Sequence, residues 1–235
     1  MEDALAPQKY VGWLSAHAGF NPRSQRHSDV LSGFIMEDLR ALAPHISRDL
    51  SQGATRLQRN GDVKTLTTFR NIDFVLADVM VDGPLHQVRL SIEHKSIMAA
   101  HGKARKNRLG DIYAYVNHVH NHHAQAIAAV TMVINTSPVY VNPDSFAQKI
   151  ERTQLSPDAW ARLIRDTVRI FSDIPLRERP DEPNDQPEAL AIMLVDYDGS
   201  GPARLIADPP APQPGDPCHI TEFYRRIVAL YDARF

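Results

Sequence analysis

The chain has 235 residues, of which 43% are hydrophobic and 23% charged, and a formal net charge of −2. This composition is that of an ordinary globular domain and excludes a strongly basic protein that coats nucleic acid over its whole surface. The single cysteine, Cys218, excludes an internal disulfide. The N-terminus has the composition of neither a signal peptide nor a membrane span, so we expect a soluble, cytoplasmic protein.

The charge is unevenly distributed along the chain. Residues 1–125 carry 15 basic and 12 acidic side chains, whereas the remainder carries 11 and 16. An anionic partner is therefore expected at a local site in the N-terminal part.

Hydrophobic periodicity and turn residues predict alternating helices and strands. The predicted elements are a helix that contains Leu31–Leu42 with Ser28 or Asp29 as its N-cap, strands over 63–69, 72–81 and 86–96, a helix after Gly102, a strand over 126–134, a helix that starts at Ser156 and Pro157, a strand over 189–198 and a closing helix from Glu222. Asn60-Gly61 and Asp82-Gly83-Pro84 are predicted turns. The order predicts an α/β fold with a mixed central sheet flanked by helices, in one domain over 1–235. Residues 189–235 would complete the sheet and add a helix that packs on the core or on another subunit.

Two neighbouring predicted strands carry the residues that bear chemistry. Glu93 and Lys95 are two residues apart on one strand, so both side chains point to the same face, opposite to the apolar one. If residues 81 and 85 pair across the turn, Asp73 lies directly opposite Glu93, with the two carboxylates about 5 Å apart. A slip of one residue would break this arrangement.

Two carboxylates so close repel each other, and a divalent cation would relieve that repulsion. Oxygen ligands alone suit Mg²⁺, with Mn²⁺ as a substitute, so Asp73 and Glu93 are the predicted metal ligands. Lys95 is placed to orient or deprotonate an attacking water, or to steady a phosphate. The alternative interpretation is a surface ion pair on an exposed sheet face.

The pattern of Asp73, followed on the next strand by Glu93-His94-Lys95, resembles the PD-(D/E)XK nuclease superfamily, which includes most type II restriction endonucleases. The resemblance covers roughly residues 28–135, and Ile72 stands where the motif often has proline. It implies a restriction-endonuclease-like core and metal-dependent phosphodiester hydrolysis by an activated water. It also implies that an acid on the first helix joins the site, with Glu37 as the candidate and Asp38 as the alternative.

A basic run, Lys103, Arg105, Lys106 and Arg108, starts the helix after the motif. These cations are candidates for gripping DNA phosphates, although a solvated helix face would have the same composition. His118 and His122 have zinc-ligand spacing, but without a third ligand a polar helix end is the favoured interpretation. Cys218 has no partner for nucleophilic catalysis.

The sequence therefore predicts a Mg²⁺-dependent endonuclease for double-stranded DNA, most simply a site-specific type II restriction enzyme. One catalytic site per chain favours a homodimer, because two strands need two cuts. The alternatives are a repair or structure-specific nuclease of the same fold, and a non-catalytic DNA-binding protein built on it. No phosphate-binding glycine loop is present, so no nucleotide cofactor is expected.

Overall fold

A computed structural model describes residues 5–17, 25–64, 69–79, 85–142 and 149–235. The helices in these ranges are α1 (Ala6–Ala16), α2 (Gln25–Leu42), α3 (Pro44–Ser51), α4 (His101–His122), α5 (Pro157–Ser172) and α6 (Ile220–Arg234). The strands are β1 (Thr55–Lys64), β2 (Phe69–Val79), β3 (Leu85–Ile97), β4 (Ile127–Asn135), β5 (Val139–Asn142), β6 (Lys149–Arg152), β7 (Ala189–Asp196) and β8 (Arg204–Ile206). The predicted α/β class is confirmed.

Six strands form one mixed sheet in the order β1-β2-β3-β4-β7-β8, and β5 and β6 form a separate hairpin. The pairs β1–β2 and β2–β3 are antiparallel, β3–β4 and β4–β7 are parallel, and β7–β8 is antiparallel. Each parallel pair is joined by a crossover helix, α4 or α5, as parallel neighbours require. The sheet therefore combines an antiparallel meander with a parallel centre.

Helices cover both faces of this sheet and bury two apolar cores. One core lies under α1, α2, α3 and α6, and includes Leu31, Ile35 and Phe223. The other lies under α4 and α5, and includes Val116 and Phe171. Because β4 lies in the middle of the sheet between these layers, all nine of its residues are buried, which explains its unbroken apolar sequence.

Local signals set several element boundaries. Ser156 caps α5, with its hydroxyl accepting from the Ala159 amide at 3.3 Å, and Pro157 occupies the first turn as predicted. Pro44 separates α2 from α3. The predicted N-cap of α2 is wrong: the helix starts at Gln25, so Ser28 and Asp29 lie within its first turns.

The first strand and the Asn60-Gly61 turn also differ from the prediction. The strand expected over 63–69 lies instead at Thr55–Lys64 and runs through Asn60-Gly61 without turning. Residues 65–68, the rest of the predicted strand, lie outside the described residues. Asn60 does adopt the left-handed conformation that favours asparagine, with φ of 51°. This single residue kinks β1, and the pairing with β2 resumes at Gly61.

Candidate active site

The ladder between β2 and β3 sets the position of the predicted acids. Residues 74–76 pair with 90–92 in the predicted register, Phe74 with Ile92. Nearer the turn, two register shifts bring Val79 opposite Leu85, and residue 81 of the assumed pair lies outside the described residues. The predicted register therefore holds for 74–76 with 90–92; the strand pairing towards the turn does not follow it, and the expected pair of Asp73 with Glu93 is not part of the ladder between the described residues.

Beyond Phe74 and Ile92 the ladder ends, and the side chain of Asp73 replaces it. Asp73 Oδ2 accepts a hydrogen bond from the His94 backbone amide at 2.7 Å. Its other oxygen, Oδ1, accepts from Gln25 Nε2 at 3.0 Å. The carboxylate is thus held between β3 and the first turn of α2, and it is close enough to Glu93 to affect the charge of that side chain.

Glu93 and Lys95 form a close ion pair on the α4 side of the sheet. Lys95 Nζ lies 2.5 Å from Glu93 Oε1, and the Arg70 guanidinium lies 3.7 Å from the same oxygen. Arg70 itself rests over the ring of Tyr115, at 5.7 Å from the centroid, which steadies its long side chain. Two cations therefore converge on one carboxylate oxygen.

The second oxygen of Glu93 is buried and has no hydrogen-bond partner among the described residues. Burial raises the pKa of Glu93 above its ordinary value; the Lys95 ammonium opposes that rise, and the Asp73 carboxylate adds to it. A buried, unpaired carboxylate oxygen is costly unless something neutralises it. The site is thus poised to accept a cation or a proton at Glu93 Oε2.

His94, between the two motif residues, points to the opposite face and is structural. Its Nε2 lies 2.9 Å from Ser32 Oγ and its Nδ1 lies 2.7 Å from Thr131 Oγ1. Burial lowers the pKa of His94 to about 4, so the ring is neutral at physiological pH. One ring nitrogen donates and the other accepts, which ties β3 to both α2 and β4.

Sequence reasoning missed a polar network that positions Asp73. Gln25 Nε2 donates to both Asp73 Oδ1 and Asn60 Oδ1, the latter at 2.7 Å, and Asn60 Nδ2 donates to Asp29 Oδ1 at 2.8 Å. Gln25, Asp29 and Ser32 follow the helical spacing of a single face of α2. The Asn60-Gly61 dipeptide, interpreted as a turn, was the available signal for this network: Asn60 adopts the left-handed conformation and its side chain bonds to Gln25 and Asp29 of α2.

The two helix acids implied by the family resemblance do not join the site. Glu37 is exposed and its carboxylate lies 3.1 Å from Lys9 Nζ, in a groove lined also by α6 residues. Asp38 is buried, where it accepts from the Ala6 amide at 2.6 Å and from the Tyr224 hydroxyl at 2.7 Å. The assignment of Glu37 to catalysis is therefore corrected. The acid of α2 that faces the site is Asp29.

The basic run lies on the first turns of α4, beside the end of the motif strand. Arg108 is used structurally, since its Nε donates to the Ser96 carbonyl at 3.1 Å and its NH1 pairs with Asp111 at 2.9 Å. Lys103 and Lys106 are exposed, and Arg105 is half-buried. Three of the four side chains predicted to contact DNA phosphates, Lys103, Arg105 and Lys106, thus have no such structural role within the described ranges, whereas Arg108 anchors the helix to β3.

Other candidate groups contribute no further site. The His118 and His122 rings are 5.5 Å apart. In the described ranges no group of three or more His, Cys, Asp or Glu side chains is arranged to hold a metal ion. Any cation at Asp73 and Glu93 would therefore complete its shell with water and substrate. Cys218 is buried, and burial raises the pKa of its thiol to about 11, which makes it a poor nucleophile.

None of the helices within the described ranges combines the length and the apolar composition needed to cross a bilayer. Compared with protein-family models, with curated proteins and with solved structures, the chain has no match. We therefore infer the function from the geometry of the site.

Proposed function

We propose that this protein is a Mg²⁺-dependent endodeoxyribonuclease that hydrolyses phosphodiester bonds in double-stranded DNA, as a site-specific, restriction-type enzyme. The observation that carries the proposal is the group formed where β2 and β3 part, with Asp73, Glu93 and Lys95 together. The surrounding order of helix, antiparallel meander, crossover helix and parallel strand supports a restriction-endonuclease-like core. A fold alone does not establish a function, so the proposal rests on the residues of the site.

The residues present fit a divalent cation. Glu93 Oε2 is buried and has no hydrogen-bond partner within the described ranges, and each Asp73 oxygen accepts one hydrogen bond and keeps a second lone pair. Two carboxylates with water and phosphate oxygens are the usual protein environment of Mg²⁺. Asp73 and Glu93 would hold the ion, which would polarise the scissile phosphate and lower the pKa of a bound water.

The protein's own groups have distinct roles around that phosphate. Lys95, held by Glu93, donates to the attacking water or to a non-bridging phosphate oxygen. Arg70 lies on the other side of the same carboxylate, where its fixed guanidinium can pair with phosphate charge that grows in the transition state. Gln25 and the His94 amide keep the Asp73 carboxylate oriented, so it needs no rearrangement when substrate binds.

Exposed cations lie on two elements near this centre in the fold. Lys103 and Lys106 are on α4, and Arg56, Arg59 and Lys64 are on the edge strand β1. Phosphate contacts from these two elements would fix the register of a duplex over Asp73 and Glu93. A single centre per chain supports a homodimer as the form that cuts both strands.

The test is digestion of unmethylated phage DNA by purified protein with Mg²⁺ or with EDTA. The proposal predicts discrete fragments with Mg²⁺ and intact DNA with EDTA. A smear with Mg²⁺ would keep the chemistry and replace the site-specific enzyme by a degradative or repair nuclease. Intact DNA under both conditions, with branched and single-stranded substrates also uncut, would refute the nuclease.

A further inference from the structure

A cleft of about 450 Å³ lies beside the active centre, between the start of α4, the end of β4 and α5. Its floor is apolar and includes Met98, Leu155, Trp160 and Leu163. Its charged lining residues are Lys103 and Arg152, and among the described residues that line it no carboxylate occurs. The cleft thus combines an apolar surface with positive charge only.

Several features of the cleft suit a flat, apolar ring that carries a phosphate. Trp160 is fixed in place, because its indole N–H donates to the Thr136 carbonyl at 2.8 Å and its ring packs at 4.7 Å from the His101 ring. Leu155 is 45% exposed and adds apolar surface to the lining of the cleft. Aromatic and apolar surface with adjacent cations is the chemistry that binds an unstacked nucleotide.

The position of the cleft relates it to the catalytic centre. Met98 follows Lys95 by three residues, which in extended chain spans about 10 Å. One DNA strand advances about 3.4 Å per stacked nucleotide, so the cleft lies within a few nucleotides of a phosphate at Lys95. A nucleotide flanking the scissile bond could therefore reach the cleft once it leaves the base stack.

We infer that this cleft binds one unstacked deoxynucleotide of the substrate strand, with the base against Trp160 and its phosphate on Lys103 and Arg152. The inference rests on the proposed nuclease function for its biological setting, although the binding itself requires no cleavage. It adds a substrate preference: DNA with an unpaired nucleotide next to the cut should bind better than fully paired DNA, because unstacking a paired base costs free energy.

The first experiment measures Trp160 fluorescence in a Trp13→Phe background, in EDTA, so that no cleavage interferes. The probes are a deoxynucleoside monophosphate, the matching deoxynucleoside, inorganic phosphate and a short single-stranded deoxyoligonucleotide. We expect saturable quenching by the monophosphate and the oligonucleotide, and at least tenfold weaker binding by Lys103→Glu. Arg162→Glu is the matched control, since Arg162 is an exposed α5 cation outside the cleft, and it should bind within about twofold of the parent.

Each outcome bears on the inference independently of nuclease activity. Absence of quenching by every nucleotide probe in the folded Trp13→Phe protein would overturn it. Equal affinities for the monophosphate and for inorganic phosphate would also overturn it, because the site would then recognise phosphate alone. Quenching together with phage, branched and single-stranded DNA that all stay intact in Mg²⁺ would support the cleft as a nucleotide site while refuting the nuclease.

Discussion

Mg²⁺ should stabilise the folded protein through Glu93 and Asp73, in the absence of any DNA. Glu93 Oε2 has no hydrogen-bond partner in the part of the chain that the structure describes, and its buried site exists only in the folded state, so a cation that binds there shifts the unfolding equilibrium. At a free Mg²⁺ concentration about ten times its Kd, this linkage adds about 1.4 kcal/mol to the free energy of unfolding. For a chain of this length, that corresponds to a rise in Tm of about 3–6 °C.

The assay is thermal unfolding followed by circular dichroism, with a Mg²⁺ titration at constant ionic strength. Glu93→Gln and Asp73→Asn should lose most of the Tm shift, and Glu37→Gln should keep it, because Glu37 pairs with Lys9 away from the site. The shift should also shrink as pH falls towards the raised pKa of Glu93, since a proton then competes with the cation. An equal shift in wild type and Glu93→Gln, or none in wild type, would refute the reasoning.

Three further outcomes are expected. Asp29→Ala, which removes the acceptor of the Asn60 amide, should lower Mg²⁺-dependent cleavage about 10–100-fold, the usual cost of losing a supporting group. Glu37→Gln should match wild type in the same cleavage assay, and equal rates for both variants would contradict the network around Asp73. Glu188→Ala should lower the free energy of unfolding by about 3–5 kcal/mol in chemical denaturation, because it leaves the buried side chains of Arg177 and His120 without their carboxylate partner. A loss under about 1 kcal/mol would show that the ion pairs of Glu188 contribute little to stability. Cys218 should react with a thiol reagent only slowly in the native protein, and the reaction rate should rise about tenfold per pH unit up to its pKa of about 11. After unfolding the thiol should react at once, and a rate that reaches a plateau near pH 8 in the native protein would contradict its burial.

Short-range periodicity explains how much of the site could be predicted. Side chains alternate every two residues in a strand, so Glu93 and Lys95 had to share a face, and an antiparallel hairpin placed Asp73 near them. The register shifts between Leu76 and Val79 could not be foreseen, because they reflect how two whole strands twist against the rest of the sheet.

The same reasoning failed where a contact depended on the tertiary structure. Asn60-Gly61 correctly indicates a left-handed residue, but whether that residue reverses the chain or kinks a strand depends on what β1 packs against. The choice of Glu37 failed for a similar reason. Periodicity shows that α2 has an apolar face, but not which flank of that face borders the strands of the candidate site, and Asp29 lies on that flank.

No pattern in the sequence predicted the cleft beside α4. Lys103 was interpreted as a phosphate contact on a helix surface, and Trp160 falls within the helix predicted to start at Ser156 and Pro157. The packing of α4 and α5 at the end of β4 brings these two residues, which are far apart in the sequence, to one cavity, and no local pattern encodes that packing.

The central claim is that Asp73, Glu93 and Lys95 form one hydrolytic centre, and Lys95→Ala tests it most directly. The measurement is the rate of plasmid or phage DNA cleavage in Mg²⁺ by wild type, Lys95→Ala and the control Lys9→Ala, a lysine that pairs with Glu37 and Asp38 away from the site. The account predicts cleavage by wild type and Lys9→Ala, and a loss of at least about 100-fold in folded Lys95→Ala. Cleavage by Lys95→Ala at the wild-type rate would contradict it.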